Sequence, residues 1–311
     1  VAAGRAAGRD EATRAVAIGG GHGTARTLRA LPQVVDQVTA IVTVADDGGS
    51  SGRLRRDLDV LPPGDLRMAL TALARDPELA RLIDFRFSQG ELAGHSLGNL
   101  ILVALQSLAD GDLVAALDRC AELLDVPGRV LPCTTIPVTL HATTADGVVT
   151  GQGAIAATPR LQRIWLDPSD PPPSKEAIAA IEQADLVVLG PGSLYTSLLP
   201  NLLVPDVVAA LRRAPGPVVL VSNLREQPGE TEGMTLIDQL SALHEHVDDL
   251  HIDVLLAHDG PPPSGGGAPL LADATALADH AERVVLEDLL DGADGHDPAR
   301  LAAALAQLLD G

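Results

Sequence analysis

A short apolar run, Arg14 to Ile18, is stopped by Gly19-Gly20-Gly21-His22-Gly23-Thr24 and followed by a helical pattern with Leu28 and Leu31 three apart. The β-branched run Val38 to Val44 comes next. A strand, a glycine turn, a helix and a strand apolar on both faces, within about thirty residues, make the opening unit of a doubly wound parallel sheet. The pattern returns later in the chain. DLVVLG (185–190), PVVLVSN (217–223), IDVLLAHD (252–259) and ERVVLEDLL (282–290) read as strands, alternating with helical patterns up to a C-terminal PARLAAALAQLLDG. The fold class expected is α/β, a Rossmann-like three-layer sandwich with a mainly parallel sheet.

Two stretches depart from this rhythm. Residues 45–65 read as a long polar loop, and long loops inside compact domains are usually functional. Residues 128–157 hold short β-like runs, with Asp146-Gly147 marking a hairpin turn, and RLQRIWLD (160–167) adds a strand. Together they predict a small antiparallel extension around 128–167. Residues 14–311 then form a single Rossmann-like domain with that insertion, and 1–13 form a frayed or disordered N-terminal extension.

Composition excludes several classes. A formal charge of -20 over 311 residues disfavours nucleic acid and anionic lipid as partners. No apolar run of membrane-spanning length occurs, so no membrane insertion is expected. Four aromatic residues, Phe85, Phe87, Trp165 and Tyr195, give no stacking platform for bases. Cys120 and Cys133 read as reduced, partly buried thiols rather than a disulfide framework or zinc cluster.

In an open α/β sheet, ligands bind beyond the carboxyl ends of the strands. Five such ends carry glycine-rich or polar turns: 19–24, 45–53, 190–196, 222–231 and 257–260. In the first, Gly20, Gly21, His22, Gly23 and Thr24 either offer backbone N–H groups to an anion or only make a tight turn. The turn lacks the P-loop lysine and the third glycine of the dinucleotide fingerprint. In the second, Asp46 and Asp47 are placed to accept from a sugar hydroxyl, or to hold a divalent ion through water, or to do acid–base work. Gly48, Gly49, Ser50 and Ser51 supply an anion nest, and Arg53 or Arg55 a phosphate partner.

Asp65 is a candidate N-cap, and Arg67, disfavoured by the helix dipole in a first turn, calls for an anion or a carboxylate beside it. His95 and Asn99, four apart, share a helix-start face, with His95 either an acid–base or ligand group or a packing residue. Gly192 and Ser193 follow a strand as a phosphate cradle, Tyr195 is a candidate for facing a base or sugar, and Asn223 for bonding a ligand amide or sugar. Two classes fit: an enzyme transferring a phosphate-linked group, with metal or acceptor at Asp46 and Asp47, or a regulatory protein that binds a nucleotide sugar without turnover.

The series IGGGHGTARTLRAL, VTAIVTVADDGGSSGRLR, LPPGDLRMAL, GHSLGNLILVAL, ADLVVLGPGSLYTSLLPNLLVP and SNLREQPGET resembles the bacterial YvcK-like proteins, also called gluconeogenesis factors. The resemblance runs from about 14 to 290, within a superfamily shared with the 2-phospho-L-lactate transferases (CofD) of coenzyme F420 biosynthesis. It implies a cytoplasmic protein binding UDP-sugars, notably UDP-N-acetylglucosamine, and linked to cell shape and envelope synthesis on gluconeogenic carbon sources. It places ligand against Gly20, Gly21, His22, Gly23 and Asp46, with Gly192, Ser193 and Asn223 beside it. His22 stands where the family's loop usually has threonine. Self-association and an unidentified protein partner are further implications. No cofactor is required on that reading; Mg2+ enters only under the transferase alternative.

Overall fold

The computed structural model describes residues 12–292 and 295–310. Ten strands form two sheets: β1 (Arg14–Gly19), β2 (Gln37–Val42), β3 (Arg129–Pro132), β4 (Thr139–Thr144), β5 (Gly147–Thr150), β6 (Arg163–Asp167), β7 (Leu186–Leu189), β8 (Val218–Val221), β9 (Val254–His258) and β10 (Arg283–Glu287). Seven make one sheet in the order β10-β9-β8-β7-β1-β2-β3, every neighbouring pair parallel. β4 pairs antiparallel with β5 and β6 in a separate three-stranded sheet. β5 and β4 meet at Ala145-Asp146, the hairpin that Asp146-Gly147 predicts.

The strand order explains the apolar runs. β7, β8 and β9 are buried at every residue because helices cover both faces of the sheet. The chain builds outward from β1 to β2 and β3, then returns to β7 on the other flank of β1 and builds outward again. Right-handed crossovers in opposite directions place their helices on opposite faces. Between β1 and β7 lies the switch point, where two loops leave neighbouring strands for opposite faces and open a crevice.

Among the described residues eight α-helices precede β7: α1 (Gly21–Ala30), α2 (Gly49–Leu58), α3 (Gly64–Leu73), α4 (Pro77–Asp84), α5 (Leu97–Leu108), α6 (Leu113–Leu123), α7 (Gln152–Ala156) and α8 (Lys175–Glu182). α1 packs on α3 and on the C-terminal helix Pro298–Asp310, while α8 packs on Val207–Leu211. The core is aliphatic, with Tyr195 its one large aromatic exception, and Cys120 and Cys133 lie inside it as free thiols that burial pushes up to about 11 and about 12.

Three expectations change. Residues 45–65 are not one loop: α2 occupies half of it, because burial of Ser50, Ser51, Gly52 and Leu54 on one face outweighs the poor helix propensity of its serines and glycines. β3 belongs to the edge of the main sheet rather than to the antiparallel extension, which begins at Thr139; four residues ending in proline fit only an edge. Of the extension expected over 1–13, residues 1–11 lie outside the described residues, while Thr13 is tied down, donating to Asp36 Oδ2 from both N and Oγ1 at 3.0 Å. Among the described residues no helix is long and apolar enough to cross a membrane.

Candidate functional site at the carboxyl rim of the sheet

Two loops, from β1 and β7, are knitted together at the switch point. Gly21 takes φ +65, turning the chain from extended backbone at Gly20 into α1. Thr24 Oγ1 accepts from Gly20 N at 2.8 Å and lies 3.5 Å from Pro191 O, while Thr27 Oγ1 donates to Gly190 O at 2.8 Å. The loops run so close that a Cβ on Gly23 would lie 2.7 Å from Gly192 Cα. Thr24 is therefore a buried fastening of the loop rather than a ligand-facing hydroxyl. Beyond β8, Asn223 grips Gly192 at both ends, accepting from its N at 3.0 Å and donating to its O at 2.9 Å. Gln227 donates to Ser193 Oγ at 3.0 Å.

Between these loops lies a cleft of about 570 Å³ lined by Gly20 to Gly23, Pro191 to Ser193 and Asn223, with Arg26, Arg225 and His296 around it. Arg26 pairs with Asp291 at 3.2 Å. His296 donates from Nε2 to Ser222 O at 3.0 Å, and burial pushes its pKa down to about 4, so the ring is neutral. The turn Leu194–Leu198 is a π-helical loop fixed from beneath by Glu230, whose buried carboxylate accepts from Tyr195 N at 2.6 Å, Thr196 N at 3.1 Å and Thr196 Oγ1 at 3.0 Å. Burial still raises the Glu230 pKa above its ordinary value. Tyr195 points inward, 2 % exposed and edge-on to His246 at 5.8 Å, so it does not face the cleft.

The flank beyond β2 is built differently. Asp46 Oδ1 accepts from Gly48 N at 2.9 Å. Burial, and secondarily the charge of Asp47, push its carboxyl above the usual range against the bonds from Gly48 and Ser51. Asp65, in the first turn of α3 where Pro63 is the cap, faces the Gly21 N–H and the Gln152 side chain, which offset part of its burial. Its pKa is pushed up to about 7, first by burial and then by the Asp46 charge. Asp47 turns to the insertion, accepting from Gly153 N at 2.9 Å near the start of α7. The neighbouring Asp46 and Asp47 are thus spent on different partners. The negative charge that bears on the Asp65 carboxyl is that of Asp46.

Beside them runs a polar chain. Ser50 Oγ meets His95 Nδ1 at 3.0 Å and accepts from Asn99 Nδ2 at 3.0 Å, while Asn99 Oδ1 accepts from Arg67 Nε at 3.1 Å. Arg67 is buried and ion-paired with Asp84, and burial lowers its pKa to about 10. Of the two partners its position calls for, anion or carboxylate, the carboxylate is present. Arg53 donates to Ala93 O at 2.7 Å. Burial, then Arg53, push the His95 pKa down.

A family model described as 2-phospho-L-lactate transferase CofD matches residues 15–290. The chain belongs to the CofD family. A Deinococcus radiodurans protein named "Putative gluconeogenesis factor" is 44 % identical over 96 % of this chain, which spans 66 % of that relative's length. A Mycobacterium tuberculosis protein of the same name is 44 % identical over 93 % of this chain and 88 % of its own, and the Bacillus subtilis "Gluconeogenesis factor" 46 % over 77 % of each. A crystal structure of a UPF0052-family protein from Bacillus halodurans superposes with a TM-score of 0.88 at 37 % identity, covering 95 % of this chain and 99 % of that one. The chain is thus a gluconeogenesis-factor relative carrying a CofD-like domain.

In this CofD-family fold, the first and fourth turns and Asn223 meet at one cleft, with Asp46 on the adjoining flank. Arg26, Glu230 and His296 escape a motif reading. Arg26 could have been found as the cation one turn into the helix after the glycines; Glu230 lies inside a turn already marked as polar; His296 carries no local signal.

Proposed function

We propose that this protein binds a UDP-sugar, UDP-N-acetylglucosamine foremost, in the switch-point cleft, and acts in the cytoplasm as a regulator of cell shape and envelope synthesis on gluconeogenic carbon sources. One observation carries the reading: glycine turns 170 residues apart in sequence are fastened into one small-molecule-sized cleft, flanked by two arginines, on a chain of charge -20. The amide groups of Gly21 to Gly23 and Gly192 suit a pyrophosphate, and Arg26 and Arg225 suit its charge. The neutral His296 keeps that end of the cleft from being uniformly cationic, as a sugar or base requires. The same reading extends to self-association and a protein partner that responds to ligand occupancy.

Calorimetric titration of the purified chain with UDP-N-acetylglucosamine, with and without magnesium, tests it. Saturable binding at one site per chain is expected without metal, and flat heats under both conditions overturn it. A second reading, transfer of a phosphate-linked group onto an F420 precursor, draws on Asp46 and Asp65, whose raised pKa values suit a shared Mg2+ or proton. A magnesium-dependent product from a phosphorylated lactyl donor favours that reading.

A further inference from the structure

At the opposite edge of the sheet, where β9 and β10 begin, His251, Asp253 and Glu282 converge. Their ligand atoms all lie within 4.8 Å of one another, and among the described residues they are the only such group of three. His251 Nε2 stands 3.4 Å from Asp253 Oδ1 and 3.2 Å from Glu282 Oε1. One N–H cannot point squarely at both oxygens; 3.2 Å is the upper end of the range for an N–H···O bond and 3.4 Å lies beyond it. Two carboxylates brought this close also repel each other. The distances match something else: metal bonds of about 2.0–2.2 Å give ligand-to-ligand edges of roughly 3.0–3.5 Å.

Backbone bonds hold the Asp253 carboxylate and the two strand entries that carry the cluster. Asp253 Oδ2 accepts from Val218 N at 2.6 Å, which turns Oδ1 toward His251. Glu282 N donates to Ile252 O at 3.1 Å and Arg283 N to Asp253 O at 3.0 Å, locking the entry of β10 against that of β9. A hollow of about 640 Å³ beside the cluster, lined by His251, Asp253, Asp248 and Asp249, leaves positions for water on an ion; Arg212, also in its wall, pairs with Asp249 at 3.4 Å and leaves Asp248 as the added negative charge.

We propose that His251, Asp253 and Glu282 bind a first-row divalent transition ion, one per chain, at the amino-terminal edge of the sheet. One imidazole and two carboxylates suit zinc or manganese and, with a nitrogen donor, are a poor match for magnesium. The ion would clasp the approach to β9 onto the start of β10 and so favour the folded state. The site is far from the switch-point cleft and does not depend on what binds there.

Zinc titration of the full chain in competition with a chromogenic chelator tests this, read alongside the unfolding temperature. Expected are one zinc per chain at about 10 µM or tighter, a raised unfolding temperature, and no such response to magnesium. Asp253→Asn keeps an oxygen for Val218 N–H, so its metal-free unfolding temperature should stay near that of the parent while zinc affinity falls by about tenfold or more. His251→Ala and Glu282→Gln should weaken zinc likewise. Zinc binding that is not stoichiometric, or that survives all three substitutions, overturns the proposal. UDP-N-acetylglucosamine titration of Asp253→Asn is expected to match the parent chain, so failure of the cleft reading and of the metal reading are read separately.

Discussion

The two flanks of the carboxyl rim use opposite means. Around β1 and β7 the side chains are spent on backbone: Thr24, Thr27, Asn223 and Glu230 each hold a loop in place, and His296 is neutral. Beyond β2 the side chains face one another, and two carboxyl groups sit with raised pKa values beside a chain of histidine, serine, asparagine and arginine. The first flank is a surface whose loops are fixed by their own hydrogen bonds. The second stores ionisable groups whose charge depends on pH and on what binds nearby. Asp65 joins them, because its carboxyl belongs to the acidic flank and lies against Gly20 and Gly21 of the glycine loop.

The contrast breaks most visibly in a pH titration of stability. Asp65 has a folded pKa of about 7 against an ordinary 3.8, so its contribution is present below pH 4 and lost as pH rises to 7. The loss is on the order of 3 kcal/mol, allowing for the group's residual exposure. His296 has the reverse sign: its folded value of about 4 lies below its ordinary 6.5, so stability is present above 6.5 and lost as pH falls toward 4. In the parent chain the two partly cancel. Asp65→Asn should leave a stability that rises from pH 4 to 6.5, and His296→Gln one that falls across that range, both measured by urea unfolding. Equal pH profiles for both variants and the parent would falsify the assignment of opposite roles.

On the glycine flank, Glu230→Leu leaves three buried donors without an acceptor, at a cost of about 3 kcal/mol, and should abolish ligand binding with the collapse of the Leu194–Leu198 turn. Asn223→Ala removes both bonds to Gly192 and should cost about 2 kcal/mol, with ligand affinity reduced about tenfold. Asn223→Asp, which keeps the acceptor for Gly192 N, should lose less stability. If Asn223→Ala binds ligand as the parent does, the cleft does not need its loops fixed.

What was legible in the sequence follows from range. Glycine turns, β-branched runs and the Asp146-Gly147 hairpin act through local geometry, so β1, β2, β7 to β10 and the rim they create could be read directly. Strand order could not, since the pairing of β1 with β7 joins residues 171 apart, as the bond from Arg14 N to Asp185 Oδ2 shows. Helix α2 was hidden because its first turn, GSSG, has poor helix propensity although it is buried in the fold. Tyr195 could have pointed either way from its turn; the bond between its own N–H and Glu230, far along the chain, fixes the turn that sends the ring inward.

The adjacent aspartates show the same limit most sharply, and their separation is the smallest effect to test. Side by side in sequence, Asp46 and Asp47 invite reading as a pair, yet Asp47 accepts from Gly153 N while Asp46 raises the pKa of Asp65. Asp47→Ala removes one exposed hydrogen bond that steadies the start of α7, worth about 1 kcal/mol. It should leave the Asp65 midpoint near 7. Asp46→Asn takes a negative charge from beside Asp65, so that midpoint should move down, read from the carboxyl carbon shift in an NMR pH series. A midpoint that moves with Asp47 and ignores Asp46 would reverse the pairing, return the acidic flank to the two sequence neighbours, and separate Asp65 from any charge carried there.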